Sequence, residues 1–195
     1  MPEAVDFYTR EAERYFQSTH TVDMAPLRAR FLNFVSPKGR LLDAGCGSGR
    51  DTKAFLALGY EVEAFDASPE MARLASAHTG IAVRASSFLN LEEVHRFDGI
   101  WACASLLHVS PSQQPEALAR LHRALKPGGV LYASYKLGNG ERTDAQGRHF
   151  TDADQDRLIQ WIQDLKDAEL VDTWITGDAQ PGHSEQWLNA LMCKA

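Results

Sequence analysis

Residues 40–58, RLLDAGCGSGRDTKAFLAL, decide how the chain is read. RLLDA has the apolar, β-branch-compatible look of a short buried strand, and DTKAFLAL repeats its apolar residues three and four apart, as a helix does. Between them Gly45, Gly47 and Gly49 stand at alternate positions. Glycine costs backbone entropy, so three of them at a strand-to-helix turn signal positive φ or a ligand lying against the main chain. The helix beginning near Asp51 aims its free N–H groups and positive dipole end back over that turn, which favours a carboxylate or phosphate there.

Outward from this unit, short apolar runs alternate with longer segments of helical period. The strand candidates are RLLDA (40–44), EVEAFD (61–66), IAVRA (81–85), FDGIWAC (97–103) and VLYASY (130–135). DTKAFLAL, SPEMARLASAH and SPSQQPEALARLHRAL read as crossover helices, with Ser68 as an N-cap ahead of Pro69. Strand, helix, strand in this rhythm predicts an α/β, Rossmann-like, doubly wound and mostly parallel sheet with right-handed crossovers. Ligands in such folds bind beyond the carboxyl ends of the strands. Residues 2–35 read as two helices carrying Tyr8, Tyr15 and Phe16, placed to cap that crevice. After Tyr135 come a polar loop (136–150), a helix opened by Thr151 and Asp154 in capping-box spacing, and two strand-like runs, VDTWIT and QWLNALMCK, joined by GDAQPGHS (177–184). One domain is expected: a helical cap over 1–38, a ligand-binding core over 39–135, and a loop, helix and hairpin over 136–195.

Composition narrows the partners. The chain has 195 residues, 44% of them hydrophobic, and a net charge of −6 with basic residues scattered along it. That distribution lacks the footprint that holds proteins onto phosphate backbones, so nucleic acid is not expected. Cys46, Cys103 and Cys193 make no CxxC pair, which suits a reducing compartment and argues against structural zinc. No H-x-x-x-H or carboxylate cluster offers metal ligands, and no metal is expected. The first residues lack a signal-peptide core, and no stretch approaches the ~20 apolar residues that span a bilayer. A cytoplasmic, membrane-free protein is expected; its oligomeric state is not legible.

The spacing of the glycines separates two ligand classes. Dinucleotide enzymes carry GxGxxG, whose third glycine lets helix pack on strand; here Arg50 stands three after Gly47, and the glycine arrives one residue early. GxGxG with Arg50 disfavours NAD. Asp66, closing the second strand, suits both hydroxyls of a ribose, which nicotinamide and adenosyl cofactors share.

LLDAGCGSG (41–49), FDAS (65–68) and LKPGGVLYAS (125–134), in this order, resemble the class I S-adenosylmethionine-dependent methyltransferases. Tyr8, Ala12 and Tyr15 look like the Y-x-x-x-A-x-x-Y helix of many small bacterial members, and the chain is similar to tellurite-resistance-like methyltransferases. The resemblance implies a seven-stranded sheet with an antiparallel last strand. It implies further that Asp43 and the Gly45–Gly49 backbone, including Gly47 and Gly49, hold the methionine moiety with Arg50 alongside. Asp66 would bind the ribose, and Ala67 and Met71 would border the adenine. The family's acid after the third strand is replaced by ASSF, so Ser86, Ser87 and Phe88 would serve the adenine, while Cys103 and Ala104 would approach the sulfonium. Tyr8 and Tyr15 would close over the bound cofactor.

Methyl transfer from a sulfonium is an in-line displacement that alignment and desolvation can carry. His108, just past the fourth strand, is the candidate base, with a structural hydrogen bond as the alternative. The acceptor pocket would draw on the N-terminal helix, Arg50, His108, loop 136–150 and the hairpin around Asp178 and His183. Lys136, Arg142, Arg148 and His149 together point to an anionic or polar small acceptor. The function read from this is methyl transfer to a small molecule, such as an oxyanion, a thiol or a metabolite hydroxyl. The alternatives are a non-catalytic S-adenosylmethionine-binding protein and a nicotinamide oxidoreductase.

Overall fold

The computed structural model describes residues 2–180, 182 and 184–195, and side chains only from residue 5 onward. Its centre is a seven-stranded sheet of β1 (Arg40–Ala44), β2 (Glu61–Asp66), β3 (Arg84–Ala85), β4 (Phe97–Ala102), β5 (Leu125–Lys136), β8 (Ala168–Gly177) and β9 (Gln186–Lys194). The strand order is β3-β2-β1-β4-β5-β9-β8. The first five strands pair in parallel, and β9 inserts antiparallel between β5 and β8. The order reverses direction at β1, which opens a crevice above its carboxyl end between β1 and β4.

Helices cover both faces, as a parallel sheet requires. On one face α3 (Ala25–Leu32) and α4 (Arg50–Ala57) bury Phe31 and Phe55 against Trp101 and Tyr132, whose rings stack at 3.9 Å. On the other, α6 (Gln114–Ala124) and α7 (Gln155–Ile162) pack Leu118, Leu121, Leu158 and Trp161 on Ile100, Leu131 and Tyr135. α5 (Pro69–Thr79) follows β2, with the Ser68 hydroxyl accepting the Met71 N–H as the expected N-cap.

Several boundaries differ from the sequence reading. The N-terminal region forms three helices, not two: α1 (Pro2–Arg10), α2 (Ala12–Thr19) and α3. α1 and α2 meet at a kink at Glu11, whose N–H still bonds Phe7 O at 2.8 Å. Asp23 starts α3 by accepting the Ala25 N–H, and Pro26 sits in its first turn. The third strand shrinks from IAVRA to Arg84–Ala85 because the Ser76 hydroxyl takes the Val83 N–H that a longer ladder would use. Loop 136–150 holds a two-stranded ribbon, β6 (Glu141–Thr143) with β7 (His149–Thr151). Thr151 is therefore no capping-box residue. It ends β7 and donates to Val109 O, leaving Asp154 alone to cap α7 through the Arg157 N–H. Among the described residues no helix is long and apolar enough to cross a membrane.

Candidate functional site

The glycine turn is folded back over β2. Gly45 and Cys46 N–H both donate to Phe65 O at 2.9 Å, and Gly47 N–H donates to Asp66 Oδ2 at 2.8 Å. Ser68 N–H takes Asp66 Oδ1 at 2.9 Å, so the carboxylate is fixed by two backbone donors. Gly45 has φ +76°, and a Cβ there would stand 2.5 Å from Ser105 Cβ. Gly47 has φ +55°, and a Cβ there would meet only Tyr15, at 3.7 Å, across the crevice. Two purposes of glycine are thus separated along the turn: close packing at Gly45, an open wall at Gly47.

Two cavities lie above the strand ends. The first, about 660 Å³, is lined by Tyr8, Asp66, Ala67, Met71, Ser87 and Phe88 among others. The second, about 890 Å³, takes in Asp43, Arg50 and Cys103. Tyr15, Gly45, Gly47 and Ala104 line both. Two expected site residues fall outside. Gly49 lines neither cavity, since its α-carbon packs on α5, where a Cβ would strike Thr79 Cγ2 at 2.7 Å. Ser86 also lines neither, its N–H being spent on Asp66 O at the end of the shortened β3.

Burial sets the charges. Asp51 accepts from Arg28 Nη1 and Arg50 Nη2, each at 2.6 Å, and from Trp101 Nε1 at 3.0 Å. Burial alone would raise its pKa, but Arg50 and Arg28 hold the carboxyl below the usual range. No cation bonds Asp43, although the Arg50 charge favours its ionised form from farther off. Desolvation, reinforced by the Asp51 charge, pushes it up to about 7 even though the Thr52 hydroxyl donates to it at 2.6 Å. Burial also raises Asp66 against its two N–H donors. The thiols stay protonated: desolvation pushes Cys103 up to about 12 and Cys46 well above its ordinary value.

His108 is held on both nitrogens. Its Nδ1 lies 2.9 Å from His149 O, a pure acceptor, so Nδ1 carries the proton. Nε2 therefore accepts, and the Tyr8 hydroxyl donates to it at 2.8 Å. Burial pushes the imidazole down to about 4; the His149 carbonyl favours the charged form, but nearby Arg148 opposes it. These bonds match the structural alternative read from the sequence: the ring is neutral and engaged, and it ties α1 to β7.

The cations of loop 136–150 are paired with carboxylates. Lys136 pairs with Glu185 at 2.8 Å, Arg142 with Asp152, and Arg148 with Asp144 at 2.7 Å; His149 lies 3.6 Å from Glu141. None of the four lines either cavity. Asp178 lines the second cavity as expected, and His183 lies outside the described residues. Sequence reasoning missed Ser105 and Ser134. The Ser105 hydroxyl donates to Ala44 O at 2.7 Å, and the Ser134 hydroxyl accepts the Ala104 N–H at 2.8 Å. That contact holds Ala104 at φ +52°, a conformation uncommon outside glycine. Among the described residues no three His, Cys, Asp or Glu side chains converge as a metal site requires.

A family model described as a methyltransferase domain matches residues 41–129. The chain is 36% identical over 119 residues to the ubiquinone biosynthesis O-methyltransferase of Xanthomonas axonopodis pv. citri, covering 56% of this chain and 48% of that enzyme. The corresponding enzyme of Xanthomonas euvesicatoria is 38% identical over 116 residues, 53% of this chain and 47% of that one. The chain spans about half the length of these curated relatives. In structure it resembles Burkholderia thailandensis 1,6-didemethyltoxoflavin-N1-methyltransferase, solved with 1,6-didemethyltoxoflavin and S-adenosylhomocysteine. The TM-score is 0.80 at 26% identity, over 98% of this chain and 87% of that one. An S-adenosylmethionine-dependent methyltransferase of Methanosarcina mazei gives a TM-score of 0.75 at 18% identity, over 88% and 98%, a likeness of fold alone.

Proposed function

We propose that this chain, a member of the class I S-adenosylmethionine-dependent methyltransferases, transfers the methyl group of S-adenosylmethionine to a small-molecule acceptor at the carboxyl-end rim of its sheet. The observation that carries this reading is the half-buried Asp66 carboxylate, oriented by the Gly47 and Ser68 N–H groups while it lines the first cavity. A carboxylate has about four acceptor sites, so two backbone donors leave two for the hydroxyls of a ribose. The residues present fit the cofactor: the Gly47 wall stays open because a Cβ would project into the crevice, and the donor set is sorted by charge.

In this reading Ala67, Met71, Ser87 and Phe88 border the adenine, and Asp43 meets the ammonium of the methionine moiety. Arg50, anchored on Asp51, meets its carboxylate, and Cys103 and Ala104 lie beside the sulfonium. Tyr8 and Tyr15, packed edge to face at 4.8 Å, cover the crevice and exclude water. His108 positions Tyr8. When bound, the cofactor would supply an activated methyl group to the acceptor's lone pair, the carbon–sulfur electrons returning to sulfur and any proton on the acceptor atom passing to solvent. The relatives named for ubiquinone biosynthesis and for 1,6-didemethyltoxoflavin support a small acceptor.

Calorimetry with S-adenosylhomocysteine tests the reading. Asp66→Asn should weaken binding by roughly 1.5–3 kcal/mol, about one to two decades in Kd, through loss of charge-assisted bonds. A change below twofold, or no binding by the unmodified chain, would reject it. Transfer of labelled methyl groups into a metabolite extract then tests turnover.

A further inference from the structure

The cofactor motifs account for only part of the second cavity. Asp43, Arg50, Cys103 and Ala104 form one group of its lining; Met24, Leu27, Tyr132, Thr176, Trp187 and Asn189 form another, which no motif reading predicts. This second group is uncharged, and its polar atoms are bonded to protein partners, one of them Asp178, which also lines the cavity. The Tyr132 hydroxyl donates to Asn189 Oδ1 at 2.6 Å, and the Asn189 amide donates to Thr176 Oγ1 at 3.1 Å. Trp187 Nε1 donates to Asp178 Oδ2 at 3.0 Å, so what its indole offers a ligand is apolar ring.

The wall across from these strands is fixed. α3, which carries Leu27, is clamped to α4 by Arg28 on Asp51 and to β8 by Arg30, which pairs with Asp172 and lies 3.8 Å over the Trp174 ring. With Arg50 engaged, an anion entering here would lose its hydration and meet no other cation among the described lining residues. The loop cations that would have drawn it in are paired elsewhere.

We infer that the space between Leu27 on α3 and Trp187 and Asn189 on β9 is the acceptor subsite, and that it takes an uncharged small molecule with an apolar face. Oxyanions are excluded from it. The inference rests on the methyltransferase reading, with Asp43 and Arg50 engaged by the cofactor.

Ligand-observed NMR on the full chain saturated with S-adenosylhomocysteine tests it, using catechol as the neutral probe and benzoate as the anionic one. Catechol should bind and benzoate should not. Leu27→Glu should weaken catechol at least tenfold while S-adenosylhomocysteine affinity changes less than twofold, and Trp187→Ala, checked for folding by circular dichroism, should do the same. Preference for benzoate, binding of neither probe, or catechol binding indifferent to both substitutions would overturn the inference. Failure of the unmodified chain to bind S-adenosylhomocysteine is a separate result, and it would remove the methyltransferase reading itself.

Discussion

Asp43→Asn should make the protein more stable and its cofactor binding weaker, and both effects should depend on pH in the same window. In the folded chain the Asp43 carboxyl titrates at about 7, because desolvation and the Asp51 charge disfavour its ionised form. An exposed aspartate titrates near ~3.9, so the folded value is raised by about three units, each worth ~1.4 kcal/mol. For a raised carboxyl the sign is fixed: below about pH 4 both states hold the proton and stability is unaffected. Between about pH 4 and 7 the unfolded chain gives up the proton that the folded chain keeps, and stability falls as pH rises. The penalty reaches up to roughly 4 kcal/mol above pH 7. Asparagine never ionises, so even a quarter of that gain should raise the melting temperature of this chain by about 2–4 °C at pH 8, with no gain at pH 4.

Cofactor binding runs the other way. Only ionised Asp43 can pair with an ammonium, so apparent affinity scales with the ionised fraction. With a carboxyl at about 7, that fraction is about 0.09 at pH 6 and 0.5 at pH 7, a rise of about fivefold in affinity for S-adenosylhomocysteine. By reciprocity, binding near pH 6.5 must release a proton. The ligand's own amine, which must stay protonated to pair with Asp43, sets the upper limit of the window. Calorimetry in two buffers of different ionisation enthalpy reads the released proton directly. A Kd flat from pH 6 to 7.5, with no proton released, would refute the linkage; so would an Asp43→Asn variant that melts no higher at pH 8 than the parent chain.

Two further substitutions test the turn and the latch. Gly47→Val puts a branched side chain at φ +55° into the wall shared by both cavities. It should abolish S-adenosylhomocysteine binding by calorimetry while a cooperative melt persists, and unchanged affinity would detach the turn from the cofactor. His108→Asn removes the acceptor of the Tyr8 hydroxyl. Cofactor affinity and melting temperature should fall together, by about 1 kcal/mol for one hydrogen bond. Because burial keeps His108 neutral down to about pH 4, the variant should retain the rise in affinity from pH 6 to 7 that Asp43→Asn removes; loss of that rise in His108→Asn would assign the titration to the histidine.

What the sequence disclosed and what it withheld differ by the range of the interactions involved. The turn from Leu41 to Asp51 was legible because each requirement is met within a few residues: β1, three glycines and the first turn of α4. Asp66 was legible because it terminates a strand of recognisable period, and its bond to Gly47 joins residues only 19 apart in sequence. The local reading erred where a side chain was already committed to a distant or competing partner. Ser76 spends its hydroxyl on Val83 N–H and cuts β3 short; Thr151 reaches 42 residues back to Val109 O instead of capping α7. His108 was legible only as a histidine at the rim for the same reason, since its Nδ1 partner is a carbonyl 41 residues away on β7 and its Nε2 partner is Tyr8, 100 residues back on α1. The acceptor end of the second cavity is the extreme case. Tyr132 meets Asn189 only because β9 runs antiparallel beside β5, and Leu27 faces them only because two arginines clamp α3 across the sheet. In the proposed reading the glycine turn and Asp66 come from short strand–turn–helix units, whereas the acceptor subsite would arise from contacts between elements far apart in the chain. Short motifs therefore locate the donor and leave the acceptor to be read from the cavity.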